Sequence, residues 1–210
     1  HARQWAGGIK SAICRLGLQE RPLHIISANL HSIINLLYGY AAVKDKENGS
    51  VPNDLYEFIK QLRQYNDEVK SYAAEHGCHM IPDQSGSQID CQLIDSLALQ
   101  SVALHPDIAI AKNTIEKEKP VILVMDYAFG EQAFELMDEL LYPWREDDQA
   151  KMLNTRSISI IGKAGILPGD KGDIMLANAH VLEGTPHNYI IYNELSGADF
   201  DDSVKVYTGP

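Results

Sequence analysis

The chain has 210 residues, of which 45% are hydrophobic and 22% charged, and its formal net charge is -11 at pH 7. This length and composition are typical of a globular domain with a hydrophobic core and exclude wholesale disorder. The excess of 29 acidic over 18 basic residues repels phosphate backbones, so we expect no nucleic-acid partner. Because no apolar run reaches the roughly 18–20 residues that span a bilayer, we expect no membrane partner either.

The few cysteine and histidine residues indicate the compartment and argue against metal binding. The three cysteines have no metal-site spacing, and their small, odd number indicates reduced thiols and a cytoplasmic location (Cys14, Cys78 and Cys91). The pair His180 and His187, with Glu183, fits no single helix face well, so we expect no metal site there. We also expect no cofactor. The chain starts at His1 without a signal-peptide pattern, which predicts that it is part of a longer polypeptide.

The first elements follow from hydrophobic periodicity. Helical spacing occupies the second half of residues 1–20, which we interpret as a helical lead-in from a preceding region. A short apolar run after Pro22 predicts a buried strand, and a helical stripe follows over residues 30–43. Strand, tight turn and helix form the opening unit of a doubly wound α/β sheet.

The middle of the chain carries weaker signals. After a polar loop, Asp54 predicts the N-cap of a helix that runs from Leu55 to about His76 and ends at Gly77. Residues 83–87 predict a turn, whereas residues 91–97 fit a strand and a helix equally well. Residues 109–118 are predicted to be a connector.

The clearest unit is the near-continuous apolar run Val121–Met125, which is typical of a strand buried in a parallel sheet. A turn at 126–130 and a helix from Glu131 to Leu141 follow it, with predicted inward side chains Phe134, Met137, Leu140 and Leu141. Another strand is predicted at 157–161, then a glycine-containing loop at 162–165 and a strand that begins near Gly172. We therefore expect an α/β fold with a mostly parallel sheet of about four or five strands, flanked by helices.

Three segments resemble the superfamily of purine nucleoside phosphorylases, methylthioadenosine nucleosidases and AMP nucleosidases. The most specific is Ile160-Ile-Gly-Lys-Ala-Gly-Ile-Leu-Pro-Gly-Asp-Lys-Gly-Asp-Ile-Met-Leu176, which is similar to the family's strand, glycine loop and following strand. Val121–Leu141 and Ile25–Leu37 resemble the upstream strand, turn and helix units. The segments His24–His31 and Asp126–Leu141 are also similar to an uncharacterised group of large bacterial proteins.

The resemblance implies a domain organisation. Residues 21–210 are expected to form the N-terminal half of a nucleoside phosphorylase-like domain, with a helical insertion around 44–118. The family's acidic residue for the ribose hydroxyl and its aspartate for the purine belong to the second half, which the sequence lacks. We therefore expect glycosidic cleavage only from the full-length parent. Because relatives assemble through neighbouring subunits, the resemblance also implies a homo-oligomer.

Ligands of open α/β sheets bind beyond the carboxyl ends of the strands, so the turns after Ile26, Met125 and Ile161 should share one edge. In the family these turns line the ribose and phosphate pocket. The resemblance thus implies substrate contacts at Ser27, Asn29, His31, Asp126, Phe129, Gly130, Gly162, Lys163, Ala164 and Gly165.

Several of these residues also have a structural explanation. The glycines can simply turn the chain, and Lys163 can be a solvated side chain instead of an anion ligand. Asp126 can bind a ligand hydroxyl or cap the following helix. His31 is either a packed or surface histidine or the general base of a hydrolysis.

The sequence departs from the family at three positions of this predicted site. Ile160 stands where the phosphorylases have arginine, and Lys163 stands where they have serine or threonine. Ser32 lies near the position at which the nucleosidases have an acidic residue. The loss of the arginine favours hydrolysis over phosphorolysis, and Lys163 favours a phosphorylated substrate.

The expected function is therefore cleavage of the N-glycosidic bond of a purine nucleoside or nucleotide, by water or by phosphate. The expected partner is that small molecule, with phosphate where phosphorolysis applies. The alternative is a non-catalytic nucleotide-sensing or scaffold domain of the same fold, which the neutral side chains of Ser32 and Ile160 favour.

Overall fold

The computed structural model describes residues 1–44, 51–146, 149–163, 167–170, 172–181, 190–201 and 204–209. The chain divides into an N-terminal unit, His1–Gly162, and a C-terminal unit, Lys163–Pro210. The helices of the N-terminal unit are α1 (Ala2–Arg15), α2 (Leu30–Val43), α3 (Leu55–Gln61), α4 (Asn66–Glu75), α5 (Lys112–Glu118) and α6 (Gly130–Leu141). Its strands are β1 (Leu23–Ser27), β2 (Cys78–Ile81), β3 (Cys91–Asp95), β4 (Val121–Met125), β5 (Trp144–Glu146), β6 (Gln149–Lys151) and β7 (Thr155–Ile160).

Five of these strands form one mixed sheet, in the order β2-β3-β4-β1-β7. Strands β4, β1 and β7 run parallel, whereas β3 is antiparallel to both of its neighbours, β2 and β4. The α/β class is as expected, but a mostly parallel sheet is not confirmed. The reason is the short connection 82–90, which reverses the chain between β2 and β3, whereas a parallel pair requires a long crossover.

The two faces of the sheet carry separate cores because successive strand side chains point to opposite faces. On one face, α1 and α6 cover a cluster that includes Ile9, Ile25 and Leu123. On the other face, α2 and α4 cover a cluster that includes Tyr38 and Val124. The sheet is therefore the middle layer of a three-layer N-terminal unit.

Several elements differ from their sequence-based prediction. The helix predicted from Leu55 to about His76 is broken by a 3₁₀ turn at Leu62–Tyr65. The predicted connector at 109–118 contains the short helix α5, and β5 and β6 form a hairpin that periodicity did not indicate. On α6, the expected inward position of Phe134 is wrong, because its side chain is 55% exposed while Leu136 and Leu140 are buried.

The described residues of the C-terminal unit contain two short strand pairs. Strand β8 (Ile174–Ala177) pairs in parallel with β11 (Val206–Gly209), and β9 (Ala179–Val181) pairs antiparallel with β10 (Ile190–Tyr192). A 3₁₀ turn at Gly197–Asp199 is closed by a capping box between Ser196 and Asp199. Within the described parts of both units, none of the helices has the length and apolar character needed to cross a membrane.

Candidate functional site

Three parallel strands end side by side in the N-terminal unit. Ser27, the last residue of β1, is in register with Met125 of β4 and with Ile160 of β7. The N–H of Ala28 donates to the carbonyl of Met125 at 3.0 Å, and the N–H of Ile161 donates to the carbonyl of Ser27 at 2.9 Å. The prediction that the turns after these strands share one edge is therefore confirmed. We call residues 27–31, 126–130 and 161–162 the carboxyl edge.

The first turn of the carboxyl edge is organised by Asn29. Its Oδ1 accepts hydrogen bonds from the N–H groups of His31 (3.0 Å) and Ser32 (3.3 Å), so Asn29 is the N-cap of α2. Ser27 is half-buried at the strand end, and His31 is exposed on the first turn of the helix. The amide oxygen of Asn29 is thus engaged by the backbone, whereas the ring of His31 faces solvent.

The second turn holds Asp126, Phe129 and Gly130. The Asp126 Oδ1 accepts a hydrogen bond from the N–H of Tyr127 at 2.9 Å. Helix α6 starts at Gly130, and its N-cap residue Phe129 makes no side-chain cap bond. Capping of α6 by Asp126, one of its two predicted roles, is therefore wrong. Phe129 is 76% exposed, and Gly130 has a left-handed φ of 55°.

The third turn begins with Gly162. A Cβ placed on Gly162 would lie 3.8 Å from Cε1 of Tyr127, so the glycine brings its backbone close to this ring. The Tyr127 ring in turn lies 6.1 Å from the Phe129 ring, centroid to centroid. The structure thus brings Gly162 to the same edge as Asp126. Lys163 is exposed and is the first residue of the C-terminal unit. Ala164 and Gly165 lie outside the described residues.

The loop Pro82–Asp90 also reaches this edge, a placement that the sequence did not predict. The Asp83 carboxylate accepts hydrogen bonds from the Ser85 N–H (2.8 Å), the Ser85 hydroxyl (2.6 Å) and the Gln88 N–H (2.7 Å). The Asp90 Oδ1 accepts one from the Asp83 N–H at 2.8 Å. The available signal was the turn-forming run Asp-Gln-Ser-Gly-Ser, in which Gly86 adopts a φ of 85°.

Hydrogen bonding sets the charge state of this loop. Desolvation raises the pKa of Asp83, but the hydrogen bonds from Ser85, Gln88 and Gly86 together outweigh it, so this pKa lies below its ordinary value. The loop therefore contributes a fixed negative charge at neutral pH.

The pKa of the buried Cys91 thiol is affected by the negative charges around the end of β4. Burial raises the pKa of Cys91, and the carboxylates of Asp90, Asp83 and Asp126 raise it further. The N–H of Asp126 donates to the Asp90 carbonyl at 3.0 Å, and Asp83 is hydrogen-bonded to Asp90, so these three residues lie on the same side of the carboxyl edge. Such a region attracts hydroxyl donors and cationic groups and repels phosphate. None of the described residues form a group of three or more His, Cys, Asp and Glu side chains that could hold a metal ion.

Two cavities lie to the side of the carboxyl edge, between α1 and β2. The first has a volume of about 450 Å³ and is lined by residues that include Gly8, Arg15 and Met80. The second has a volume of about 320 Å³ and shares Arg15 and Met80 with the first. The first cavity is also lined by Asp83 and Ser85, so it adjoins the loop Pro82–Asp90.

The fold and the site define a mixed α/β protein in which three parallel strand ends and two helix N-termini meet at one edge. The family model described as "Family of unknown function (DUF6909)" matches residues 1–51 and 51–208, and the chain belongs to this family. No curated protein matches the sequence, and no solved structure matches it.

Proposed function

We propose that the carboxyl edge binds a purine nucleoside or nucleotide, and that an intact protein containing this chain cleaves its N-glycosidic bond. The observation that carries this proposal is the register of Ser27 with both Met125 and Ile160, which aligns three turns at one edge. Ligand sites of α/β sheets occupy such an edge. The likeness of residues 160–176 to the glycine loop of nucleoside phosphorylases supports the choice of ligand.

The charge of the edge supports a specific orientation of that ligand. Ribose hydroxyls are hydrogen-bond donors, and the carboxylate of Asp126, near those of Asp83 and Asp90, is suited to accept from them. A 5′-phosphate would be repelled there.

The same charges suit the chemistry of cleavage. The sugar becomes oxocarbenium-like as the N-glycosidic bond breaks, and fixed carboxylates lower the energy of such a cation. His31 is the described candidate for a general base, because its imidazole is exposed at the edge. Departure of the base also requires its protonation by a general acid.

The alternative, nucleotide sensing without cleavage, is favoured by one specific observation. The Asn29 amide oxygen accepts from two backbone N–H groups, and the Asp126 Oδ1 accepts from the Tyr127 N–H. These hydrogen bonds fix both side chains in position, as the binding of a ligand requires. Binding and cleavage must therefore be measured separately.

The test is isothermal titration of the purified chain with adenosine, inosine and AMP, with and without phosphate, together with a chromatographic assay of base release by the full-length parent protein. Binding of a nucleoside or nucleotide supports the site, and base release supports the enzyme. Binding without base release supports the sensing alternative. If the chain binds none of these ligands, the proposal fails.

A matched pair of variants locates the binding. Asp126→Asn keeps an oxygen for the Tyr127 amide but loses the charge, so we expect roughly tenfold weaker binding of the nucleoside. Glu116→Gln removes an exposed charge on α5 and should leave the affinity unchanged. Equal affinity of the two variants would place the ligand elsewhere.

A further inference from the structure

Strand β7 forms an open edge of the five-stranded sheet with an unusual distribution of side chains. Among the described residues, β7 pairs with β1 alone. Ile158 and Ile160 are 47% and 68% exposed, whereas Ser157 and Ser159 are half-buried. Ile161, directly after the strand, is 55% exposed. The apolar side chains of this strand are thus the exposed ones, and its serines are the half-buried ones. This is the reverse of the pattern that a solvent-exposed edge strand favours.

Part of the β7 backbone has no hydrogen-bonding partner among the described residues. The N–H of Ile161 donates to Ser27 of β1, so this residue points its backbone groups inward. Because backbone groups alternate in direction along a strand, Ser159 also points toward β1, while Ile158 and Ile160 point away from it. Their N–H and C=O groups are directed to the open side of the sheet.

The charge of this edge differs from that of the whole chain. Residues 155–162 contain no acidic residue and one basic residue, Arg156, in a chain of net charge -11. Two acidic copies can therefore approach here without opposing carboxylates. The other edge of the sheet is less suited to pairing, because β2 is followed by Pro82, which lacks an N–H, and by the charged Asp83.

We propose that β7 pairs antiparallel with β7 of a second copy of this chain, about a twofold axis at Ser159. In this register Ile158 lies opposite Ile160 of the second copy, and the two symmetric pairs exchange about four backbone hydrogen bonds. The four isoleucines form one cross-strand cluster, and Arg156 lies opposite Gly162 rather than opposite its own equivalent. This inference does not depend on the proposed nucleoside site.

The expected interface is small. It consists of one strand pair and the exposed parts of Ile158, Ile160 and Ile161, below the roughly 800 Å² per partner of a standard interface. We therefore expect a dissociation constant on the order of micromolar. Added salt should strengthen the dimer, because it screens the repulsion between two chains of charge -11.

The test is sedimentation velocity of the full chain over a concentration series from about 1 to 200 μM, a range chosen to span micromolar affinity. We expect a transition from the monomer mass of 23.4 kDa to about twice that value. A monomer at every concentration and salt level overturns the proposal.

The double substitution Ile158→Lys with Ile160→Lys places lysines opposite each other across the axis, and both side chains are already exposed. We expect the dissociation constant to rise at least tenfold. Tyr56→Lys, at a 68% exposed position on α3, is the matched control and should leave the dimer unchanged. A dimer that survives the double substitution overturns the proposed interface.

A cross-link tests the register without relying on a disruptive change. Ser159 is at the axis and in a non-hydrogen-bonded pair, so its Cα should lie about 4.5 Å from that of its equivalent, within disulfide range. Ser157 would lie about 13 Å from its own equivalent. Under mild oxidation Ser159→Cys should form covalent dimers, and Ser157→Cys should match the unsubstituted chain. Equal cross-linking of the two variants contradicts the register.

Discussion

The ammonium of Lys10 donates a hydrogen bond to the carbonyl oxygen of Tyr142 at 2.7 Å, and thereby joins α1 to the end of α6. It donates a second bond to the Glu139 carbonyl, also at 2.7 Å, and lies 5.3 Å from the centre of the Trp144 ring. The side chain is only 8% exposed. A buried cation at the last carbonyls of a helix compensates both the unpaired acceptors and the negative end of the helix dipole.

Substitution of Lys10 by methionine should lower the free energy of unfolding by about 1–3 kcal/mol, because the aliphatic packing stays and the bonds to two carbonyls are lost. Arg3→Met is the matched control on the same helix. Arg3 contacts the Glu139 carboxylate at 3.4 Å but is 89% exposed, so its loss should change stability by less than about 0.5 kcal/mol. Urea denaturation of both variants checks the difference, and equal effects would show that Lys10 acts only as a surface charge.

Asp95 lies at the end of the sheet opposite the carboxyl edge, in register with Val121, and should make the free energy of unfolding fall at acid pH. Desolvation raises the pKa of Asp95, but hydrogen bonds from the Arg21 guanidinium (2.6 Å) and the Leu97 N–H, with the Arg21 charge, outweigh it. The pKa in the folded state therefore lies below the unfolded value of about 3.9. Such a group stabilises the fold above the unfolded pKa, and this contribution is lost as the pH falls through the folded pKa.

We expect Asp95→Asn to lose about 1–3 kcal/mol at pH 7 and to show a flatter decline than the unsubstituted chain between about pH 5 and 2. Urea denaturation at a series of pH values measures both effects. Glu116→Gln, an exposed carboxylate on α5, should keep the original pH profile. A variant at Asp95 that follows the same profile as the unsubstituted chain would rule out a stabilising role for this pair.

Local sequence predicted the parallel core of the fold better than its periphery. The bounds of β4 were predicted exactly as observed because an uninterrupted apolar run, Val121–Met125, fits a strand buried on both faces. The residues of β3 fitted strand and helix equally well, and only pairing with β4 decides between them. On α6, periodicity correctly predicted that Leu140 faces inward, but it could not show that Leu136, rather than Phe134, faces the sheet, because two apolar stripes exist.

The candidate site, like the fold, could be predicted from the sequence only in part. Residues 27–31 and 126–130 could be placed at one edge because the carboxyl ends of parallel strands meet there. The loop with Asp83 could not, since its position depends on the antiparallel turn between β2 and β3. The hydrogen bonds that engage Asn29 and Asp126 are likewise set by backbone geometry, which composition does not report.

Two glycines should respond to alanine in opposite directions. Gly77 has a φ of 88°, and an added Cβ would lie 2.5 Å from the Ala98 Cβ, so Gly77→Ala should cost about 1–3 kcal/mol. Gly8 lies within α1, with no neighbouring atom within 4 Å of an added Cβ. Gly8→Ala should therefore stabilise the chain by about 0.5–1 kcal/mol. Thermal melts of the two variants decide this. A higher melting temperature for Gly77→Ala would contradict the backbone assignment at Gly77, and a lower one for Gly8→Ala would contradict the open space at Gly8.

Substitutions of Asn29 distinguish its structural role as a helix cap from a role in ligand binding at the carboxyl edge. Asn29→Ala removes the acceptor for the His31 and Ser32 amides and should cost about 1 kcal/mol of stability, whereas Asn29→Asp keeps the cap and should stay within about 0.5 kcal/mol. Asp54→Ala removes a comparable cap, that of α3, where the carboxylate accepts from the Glu57 N–H at 2.9 Å. Chemical denaturation should give similar losses for the two alanine variants.

Nucleoside titration of the same three variants then completes this prediction. Asn29 lies in a turn of the proposed site, so Asn29→Ala should weaken binding by disturbing that turn, and Asp54→Ala should not. Asn29→Asp keeps the turn but adds a negative charge, so it should weaken binding of AMP more than binding of adenosine. If Asn29→Ala and Asp54→Ala bind every ligand equally well, Asn29 serves only as the N-cap of α2, and ligand binding does not depend on this turn.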